Sequence, residues 1–334
     1  MIKFYSVGQG LFISEHFRNH AIVFDCGGEN QHLPRWVINS KLVGKTIDLL
    51  FISHYDRDHI NGIFDLLEKC DVKSVVLPLV SDFSRFISFD SYPGRKNSRI
   101  KDFYENPVKY IENTYPSTRC HYQEGYNNED NIQSDTIYTL QQLPNIIPSG
   151  SIITTPETDW IMKPFHRKFM TPRQENLFLT NLGIDPNDGF SVILEKWPNI
   201  KGKIKKALIN AGVVTLNDIN DYSMTLYSQN KESRALFLGD FNAKSYCKEL
   251  KDEYKSYWND ITSLQVPHHG SFHSFSDELF SCGAVNYVIS NKWTPRKVQD
   301  VDPKKVANVI KLHHKELKIT DSTTIRIPNK KRMT

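Results

Sequence analysis

Four side chains of the types that bind metal ions lie within six residues of this chain. They are His54, Asp56, Asp58 and His59, in the run SHYDRDHING at residues 53–62. Imidazole and carboxylate groups together suit zinc, manganese or iron, and the mixture does not choose between them. A polar turn capped by Asp58 is the alternative interpretation. Two histidines and two aspartates in so short a run favour a site for two adjacent metal ions.

The segments on either side of this motif predict how it is positioned. Residues 47–53 (IDLLFIS) are nearly all apolar, which is typical of a strand covered on both faces. Residues 61–69 predict a helix, because Ile63, Leu66 and Leu67 recur at helical spacing. The motif would then lie at the C-terminal end of a buried strand, where α/β proteins usually carry their sites.

The rest of the chain alternates strands and helices around a less regular middle. Strands are predicted at 2–6, 11–14, 21–24, 75–79, 160–165, 223–228, 235–238, 263–266, 287–290 and 323–327, and helices at 200–210, 243–254 and 303–313. Residues 190–196 fit a short strand or the start of a helix. The pattern predicts an α/β (α+β) fold in one domain, residues 1–334, in which residues 82–220 include an elaborated insertion or cap.

Composition indicates a globular protein with a large core. Hydrophobic residues make up 39% of the chain and charged residues 24%, with no apolar run of membrane-spanning length. The formal net charge of +4 is compatible with a phosphate-rich substrate but does not indicate one. The five cysteines form no CxxC pair, and the first ten residues lack the apolar run of a signal peptide. We therefore expect a reduced, cytoplasmic protein with no membrane partner.

The motif resembles the HxHxDH signature of the metallo-β-lactamase superfamily, in the variant whose second histidine is aspartate. That variant is typical of the metallo-hydrolase domain of ComEC-type DNA-uptake proteins. Further segments are similar to the same subgroup in order. They are VGQG at 7–10, FDCGG at 24–28, NDYS at 220–223, LGD at 238–240 and VPHHGS at 266–271. The resemblance covers residues 1–80 and about 220–330, and implies a four-layer αβ/βα sandwich.

The resemblance also implies a role for each ligand of a dinuclear centre holding Zn²⁺ or Mn²⁺. His54 and Asp56 would bind one ion, and Asp58 and His59 would bind the other. Asp240 would bridge the two ions, since one carboxylate can span a pair of ions about 3.5–4 Å apart.

The adjacent histidines His268 and His269 would contribute differently. Neighbouring residues of an extended chain point in opposite directions, so one should complete the second metal and the other should orient substrate or a carboxylate. We assign His268 as the metal ligand, and His269, with Asp58, as a catalytic group that handles the proton.

The chain departs from the subgroup at several positions. Ser6 and Leu11 replace the aspartates that flank the opening segment, and the usual His-Pro pair is missing after residues 287–290, where Asp302 is a candidate replacement. Many superfamily members also have a ligand histidine between the first motif and the bridging aspartate. His121 and His166 are the candidates here; His166 is better placed, although a surface or supporting histidine is the default.

These features favour a metal-dependent phosphodiesterase or nuclease. Basic and aromatic residues interleave in the middle region, where they could hold single-stranded nucleic acid, although a solvated face explains each of them more simply. They are Arg95, Lys96, Arg99, Lys101, Lys163, Arg167 and Lys168, with Phe103, Tyr104, Tyr110, Phe165 and Phe169. Two alternatives remain open: a metallo-hydrolase of a small molecule, and a partner-dependent subunit of a bacterial defence-type complex.

Overall fold

Two mixed β-sheets form the centre of the computed structural model. The structure describes residues 1–126, 136–155, 159–168, 170–213, 223–291, 303–320 and 323–327. In these ranges each sheet has eight strands. The first contains β1 (Ile2–Phe4), β2 (Phe12–Phe17), β3 (His20–Cys26), β4 (Thr46–Phe51), β5 (Asp71–Pro78), β6 (Arg119–Gln123), β8 (Ile146–Ile147) and β16 (Ile325–Ile327), in the order β16-β1-β2-β3-β4-β5-β6-β8.

The second sheet is built largely from the C-terminal half of the chain. It contains β7 (Ile137–Thr139), β9 (Ile152–Thr155), β10 (Trp160–Phe165), β11 (Thr225–Gln229), β12 (Arg234–Phe237), β13 (Ser263–Gln265), β14 (Asn286–Ile289) and β15 (Glu316–Ile319). Their order is β15-β14-β13-β12-β11-β10-β9-β7. The run from β3 to β6 is parallel, and so is the run from β12 to β15. Loops after parallel strands gather at one edge of their sheet, and the candidate ligands follow such strands.

Helices cover the outer face of each sheet. They are α1 (His32–Val37), α2 (Arg57–Ile60), α3 (Ile63–Lys69), α4 (Asp82–Ser91), α5 (Ser98–Glu105), α6 (Pro107–Thr114), α7 (Pro172–Leu182), α8 (Phe190–Ile200), α9 (Ile204–Asn210), α10 (Ala243–Glu253) and α11 (Pro303–Leu312). Short π-helical or 3₁₀ turns occur at Ile38–Leu42, Leu140–Gln142, Lys201–Lys203, Trp258–Asp260, His268–Gly270 and Asp277–Ser281.

Three apolar clusters hold these layers together. One lies between the sheets, where Phe24 and Phe51 face Phe237 and Trp160. A second joins the first sheet to α1 and the helices from α3 to α9. A third joins the second sheet to α10 and α11. The predicted four-layer αβ/βα sandwich is therefore confirmed.

Several segments differ in detail from their predicted form. The helix expected at residues 61–69 is α3, which begins at Ile63. Gly62 lies in the turn between α2 and α3, where a side chain would meet the Cys26 carbonyl oxygen at 2.2 Å. Residues 190–196 lie in α8. Residues 82–220 contain α4 to α9 and also β6 to β10, which belong to the two sheets. The predicted boundaries of an insertion there stay a prediction.

Two further findings concern the chain as a whole. All five cysteines are free thiols. In the part of the chain that the structure describes, no helix is both long enough and apolar enough to cross a membrane.

Candidate metal centre

A buried aspartate at the end of β3 organises the loop that carries the histidine motif. Asp25 accepts hydrogen bonds from the Ser53 backbone N–H and from the Ser53 hydroxyl, both at 2.7 Å. It also contacts His59 Nδ1 at 2.7 Å. A carboxylate is only an acceptor, so His59 donates its Nδ1–H to Asp25. This contact fixes the imidazole and directs Nε2 towards the centre of the site.

Hydrogen bonding also fixes the orientation of His54. The Ser53 hydroxyl donates its one hydrogen bond to Asp25. Its oxygen therefore accepts a hydrogen bond from His54 Nδ1–H at 2.9 Å. His54 Nε2 is buried and has no hydrogen-bond partner among the described residues. Its neighbours are acceptors: Asp56 Oδ2 at 3.8 Å and Asp240 Oδ2 at 3.9 Å. A buried lone pair facing two carboxylates lacks a positive partner.

The second sheet contributes Asp240 from the turn after β12. Gly239 has a φ of 54° and is closely packed, since an added Cβ would lie 2.6 Å from Ser223 Oγ. The Asp240 backbone N–H donates to that same Ser223 oxygen at 3.1 Å. Asp240 Oδ1 lies 3.1 Å from His59 Nε2. One carboxylate thus lies between the two histidines of the first sheet.

The turn after β13 brings in the adjacent histidines. Both have left-handed backbone angles, with φ values of 49° for His268 and 53° for His269. His269 donates Nδ1–H to the Ser290 carbonyl oxygen at 3.0 Å and places Nε2 3.1 Å from Asp58 Oδ2. His268 Nε2 lies 3.6 Å from Asp240 Oδ2, and its side chain is 20% exposed. The inner histidine of the pair is therefore His269.

Two overlapping donor groups result from this arrangement. One consists of His54, His59 and Asp240, and the other of Asp58, His59 and His269, with ligand atoms in each group within 4.8 Å of one another. Two ligand atoms of a tetrahedral zinc ion with bonds of about 2.1 Å are about 3.4 Å apart. The carboxylate–imidazole separations in the two groups, from 3.1 Å to 4.0 Å, are close to that value. The residues therefore fit divalent metal ions.

The pKa shifts of the site residues also favour a bound cation. Burial opposes protonation of His59, but Asp240, Asp25 and Asp58 outweigh it and raise the histidine pKa well above its usual value. Burial would raise the pKa of Asp58, yet His59 and His269 lower it to about 2. Burial lowers the pKa of His54 and keeps that imidazole neutral. The carboxylates thus create a potential that favours a cation.

The six residues assigned as metal ligands from the sequence lie in this region, although Asp56 and His268 belong to neither donor group, and the structure adds residues that support them. Asp56 accepts a hydrogen bond from Ser88 Oγ at 2.7 Å. The residues that sequence reasoning missed are Asp25, as the partner of His59, and Ser53, Ser88, Ser223 and Ser290. Asp25 lies in the FDCGG segment, Ser223 in the NDYS segment and Ser53 at the start of the histidine motif, so these three had a signal in the sequence; Ser88 and Ser290 had none.

The other two histidine candidates lie outside both donor groups. His121 donates Nδ1–H to the Pro144 carbonyl oxygen at 2.8 Å. His166 is buried and lines a cavity of about 310 Å³ together with Leu79, Val80, Ser81, Ser84, Lys168, Met170, Pro172 and Glu175. Asp302, Phe169 and the first three residues of the NDYS segment lie outside the described residues.

The His166 cavity lies close to the metal centre. Ser84, which lines it, is one helical turn from Ser88, which binds Asp56. His166 directly follows β10, and β10 pairs with β11, the strand that Ser223 precedes. Ser223 Oγ in turn lies 3.4 Å from His54 Nδ1. The two features therefore share one edge of the sandwich.

Close glycine contacts fix the motif loop in place. A Cβ on Gly27 would lie 2.1 Å from the Asp58 carbonyl oxygen, and one on Gly10 would lie 2.8 Å from the same atom. The Leu11 backbone N–H donates to that oxygen at 3.1 Å. Only glycine permits this approach, so these positions hold Asp58 against the ends of β2 and β3.

Several of the basic and aromatic residues of the middle region are used by the fold itself. Phe103, Tyr104 and Phe165 are buried in the core and cannot stack on bases. Lys163 pairs with Glu253 at 3.1 Å, and Arg167 pairs with Glu249 at 2.8 Å. The prediction that Phe103, Tyr104 and Phe165 stack on bases is wrong, because the core buries these rings. For the other residues of the set, nucleic-acid binding stays a prediction.

Comparisons with known proteins give one family match over part of the chain and several distant structural similarities. Residues 16–130 match the metallo-beta-lactamase superfamily. Among solved structures, the short form of human tRNase Z is 13% identical with a TM-score of 0.41, over 98% of this chain and 99% of that one. YhfI from Bacillus subtilis is 9% identical, with a TM-score of 0.43, over 98% and 100%. Zn²⁺-bound PqqB from Methylobacterium extorquens is 8% identical, with a TM-score of 0.46, over 95% and 87%.

No curated protein sequence matches this chain. Structural similarities at these identities and TM-scores carry no information about substrate. The ComEC-type subgroup is not distinguished by any of these matches.

Proposed function

We infer that this chain, whose fold and family match support the metallo-beta-lactamase superfamily, is a hydrolase that uses two divalent metal ions, Zn²⁺ or Mn²⁺. The observation that carries the proposal is the pattern of hydrogen bonds made by the site's histidines. His54, His59 and His269 each donate a hydrogen bond from Nδ1–H to a neighbouring oxygen, and each directs Nε2 into the site. They face carboxylates that can only accept hydrogen bonds, so the cluster favours positive charge at its centre, which divalent ions would supply.

We propose that the substrate is a phosphodiester of nucleic acid. Asp56, Asp58 and Asp240, together with Asp25 behind His59, carry four negative charges and would balance two divalent ions, so an anionic phosphoryl group could approach the ions without meeting net negative charge. Bound divalent ions lower the pKa of water towards about 7 and stabilise the charge that develops on phosphoryl oxygens. The second-position aspartate, Asp56, is the sequence feature that resembles DNA-processing members of the superfamily.

We assign the adjacent histidines in the reverse of the order that the sequence suggested. His269 completes the group containing Asp58 and His59, since its Nδ1–H is held by Ser290 and its Nε2 points inward. His268 is partly exposed, and its Nε2 lies on the outer side of Asp240. His268 therefore orients the substrate and donates a proton to the leaving oxygen, a role for which its access to solvent suits it.

A small-molecule substrate is the second candidate. The cavity of about 310 Å³ beside the centre is lined by the charged residues Lys168 and Glu175 and by the apolar residues Leu79 and Met170, among others. This size falls at the lower end of the range for small-molecule sites. An ester or cyclic nucleotide would use the same donor groups and would bury its remaining part in the cavity.

The proposal is tested by measuring metal content and hydrolysis on the same preparations. Wild-type protein should carry about two equivalents of Zn²⁺ or Mn²⁺ and should hydrolyse bis-p-nitrophenyl phosphate and labelled single-stranded DNA or RNA. His54→Ala and Asp240→Asn should lose metal and both activities. His32→Ala, which changes an exposed histidine on α1, is the control and should keep them.

Each outcome separates the candidates. Equal hydrolysis by wild type and both ligand variants would refute the metal-dependent reaction. Hydrolysis of bis-p-nitrophenyl phosphate with intact nucleic acid would favour the small-molecule candidate instead.

A further inference from the structure

An exposed aromatic ring lies beside the metal centre. Phe272 follows His269 by three residues, and its side chain is 40% exposed. Two ammonium groups approach the ring: Lys244 Nζ is 5.1 Å from its centroid, and Lys305 Nζ is 5.8 Å from it. The three residues come from three different elements, namely the turn after β13, α10 and α11.

Each of these elements is tied to a candidate ligand. Lys244 is the second residue of α10 and follows Asp240 by four residues, and its backbone N–H donates to the Ser274 carbonyl oxygen at 3.1 Å. Ser274 Oγ contacts His268 Nδ1 at 3.0 Å. The fold therefore fixes the ring and Lys244 relative to the ligands.

The third element, α11, is packed against the same turn. A Cβ added to Gly270 would lie 3.2 Å from Pro303 Cβ, so the first residue of α11 lies directly against the residue that follows His269. Lys305 is two residues into this helix, with its side chain exposed. The ring and both ammonium groups thus form one surface next to the ligand-bearing turn, here called the Phe272 platform.

We propose that the Phe272 platform binds single-stranded nucleic acid and holds it next to the metal centre, with a base stacked on the ring and the flanking phosphates paired with Lys244 and Lys305. Every base has a π-face, so an exposed ring binds a strand without regard to sequence. The lysine side chains are long and flexible, and their ammonium groups can move from the ring to phosphates. Cleavage of the bound strand rests on the proposed function; binding does not.

A second lysine–aromatic pair in the chain provides a matched control. Trp36 is 57% exposed, and Lys41 Nζ lies 5.4 Å from its ring centroid. The ring belongs to α1, which carries no candidate ligand. If any exposed ring with a lysine bound nucleic acid equally well, the two pairs would behave alike.

The test measures binding of two fluorescein-labelled strands to the full chain in EDTA, which prevents cleavage. One is a twelve-residue oligothymidylate, and the other is an abasic strand of the same length. Phe272→Ala should weaken oligothymidylate binding roughly ten- to hundredfold, because one stacked base is lost. It should leave abasic-strand binding within about twofold. Lys244→Gln and Lys305→Gln should weaken both strands and reduce the salt dependence of binding by about 0.7 per lysine in log–log slope.

Two further variants make the result specific. Phe272→Tyr keeps the ring and should keep the affinity, which separates loss of stacking from misfolding. Trp36→Ala should leave both affinities unchanged. Absence of oligothymidylate binding, equal weakening by Trp36→Ala, or equal weakening of both strands by Phe272→Ala would overturn the proposal. A polyglutamate peptide that binds as tightly as oligothymidylate would show a general anion surface and would overturn it as well.

The two proposals fail separately. Wild-type protein loaded with metal is assayed in parallel on bis-p-nitrophenyl phosphate, and lack of hydrolysis there would refute the proposed reaction. The platform is judged by oligothymidylate affinity alone.

Discussion

The candidate metal centre and the His166 cavity share one edge of the sandwich and differ in the charge around their buried histidines. His59 is surrounded by Asp25, Asp58 and Asp240, which raise its pKa well above the usual value although burial opposes this. Burial lowers the pKa of His166 to about 4, with a small contribution in the same direction from Lys168. Burial of a histidine therefore does not by itself indicate a cation site; the carboxylates do.

Removing ligands on either sheet should give the largest effect and tests the comparison directly. His54→Ala on the first sheet and Asp240→Asn on the second should each lower hydrolysis on the order of 100- to 1000-fold, because charge stabilisation at the reacting group is lost. His166→Gln should keep the full metal content measured by elemental analysis. Loss of metal from His166→Gln would mean that the cavity histidine is a ligand and would break the distinction.

The cavity histidine should instead control stability at acid pH. The pKa of His166 is about 4 when folded and about 6.5 when unfolded, so the unfolded chain takes up the proton first. The stability that the neutral form provides is complete above about pH 6.5 and is lost as pH falls towards 4, by about 3 kcal/mol in all.

Urea unfolding in EDTA at pH 7, 5 and 4 measures this effect. The free energy of unfolding should fall less steeply with decreasing pH in His166→Gln than in the wild type. Parallel pH profiles for the two proteins would contradict the lowered pKa.

The partner of His59 should affect metal affinity to a smaller extent. Asp25→Asn keeps the size of the side chain but removes the charge that holds His59 Nδ1–H. Metal affinity should fall about 10- to 100-fold, as expected when a carboxylate behind a ligand histidine is lost. Competition with a chromophoric chelator gives the dissociation constant. Unchanged affinity would show that the three surrounding carboxylates do not act together on His59.

The smallest effect is expected at the outer side of the centre. Ser88→Ala removes the hydrogen bond to Asp56 Oδ1, but the Asp56 side chain is 32% exposed and water can replace the hydroxyl. Metal affinity should therefore change less than about tenfold. A larger loss in the same chelator assay would mean that Asp56 depends on α4 as strongly as His59 depends on Asp25.

The site residues carried by the first sheet could be predicted from the sequence more directly than those carried by the second. His54, Asp56, Asp58 and His59 share one short motif, so type and spacing alone indicated a metal site. Asp240 and His268-His269 follow separate strands, and only the resemblance joined them to it. The alternation expected of an extended chain could not decide between the two histidines, because both adopt left-handed angles that bring His269 inward.

Other features depended on tertiary contacts that local patterns do not contain. The middle region supplies strands to both sheets, although its apolar periodicity is weak, because neighbouring strands provide the burial. Phe103 and Phe165 were expected to face nucleic acid, yet each is a core residue. Phe272, which is exposed, gave no signal, since an isolated aromatic has no neighbours in sequence that mark it.

His59 belongs to both donor groups, and this has a consequence for how the centre fills. Its Nε2 has one lone pair and can ligate one ion at a time. The first ion to take it leaves the other group with one donor fewer, so the two positions cannot have equal and independent affinity. We expect a calorimetric titration with Zn²⁺ to show two successive phases, and a range of concentrations in which half-loaded protein predominates.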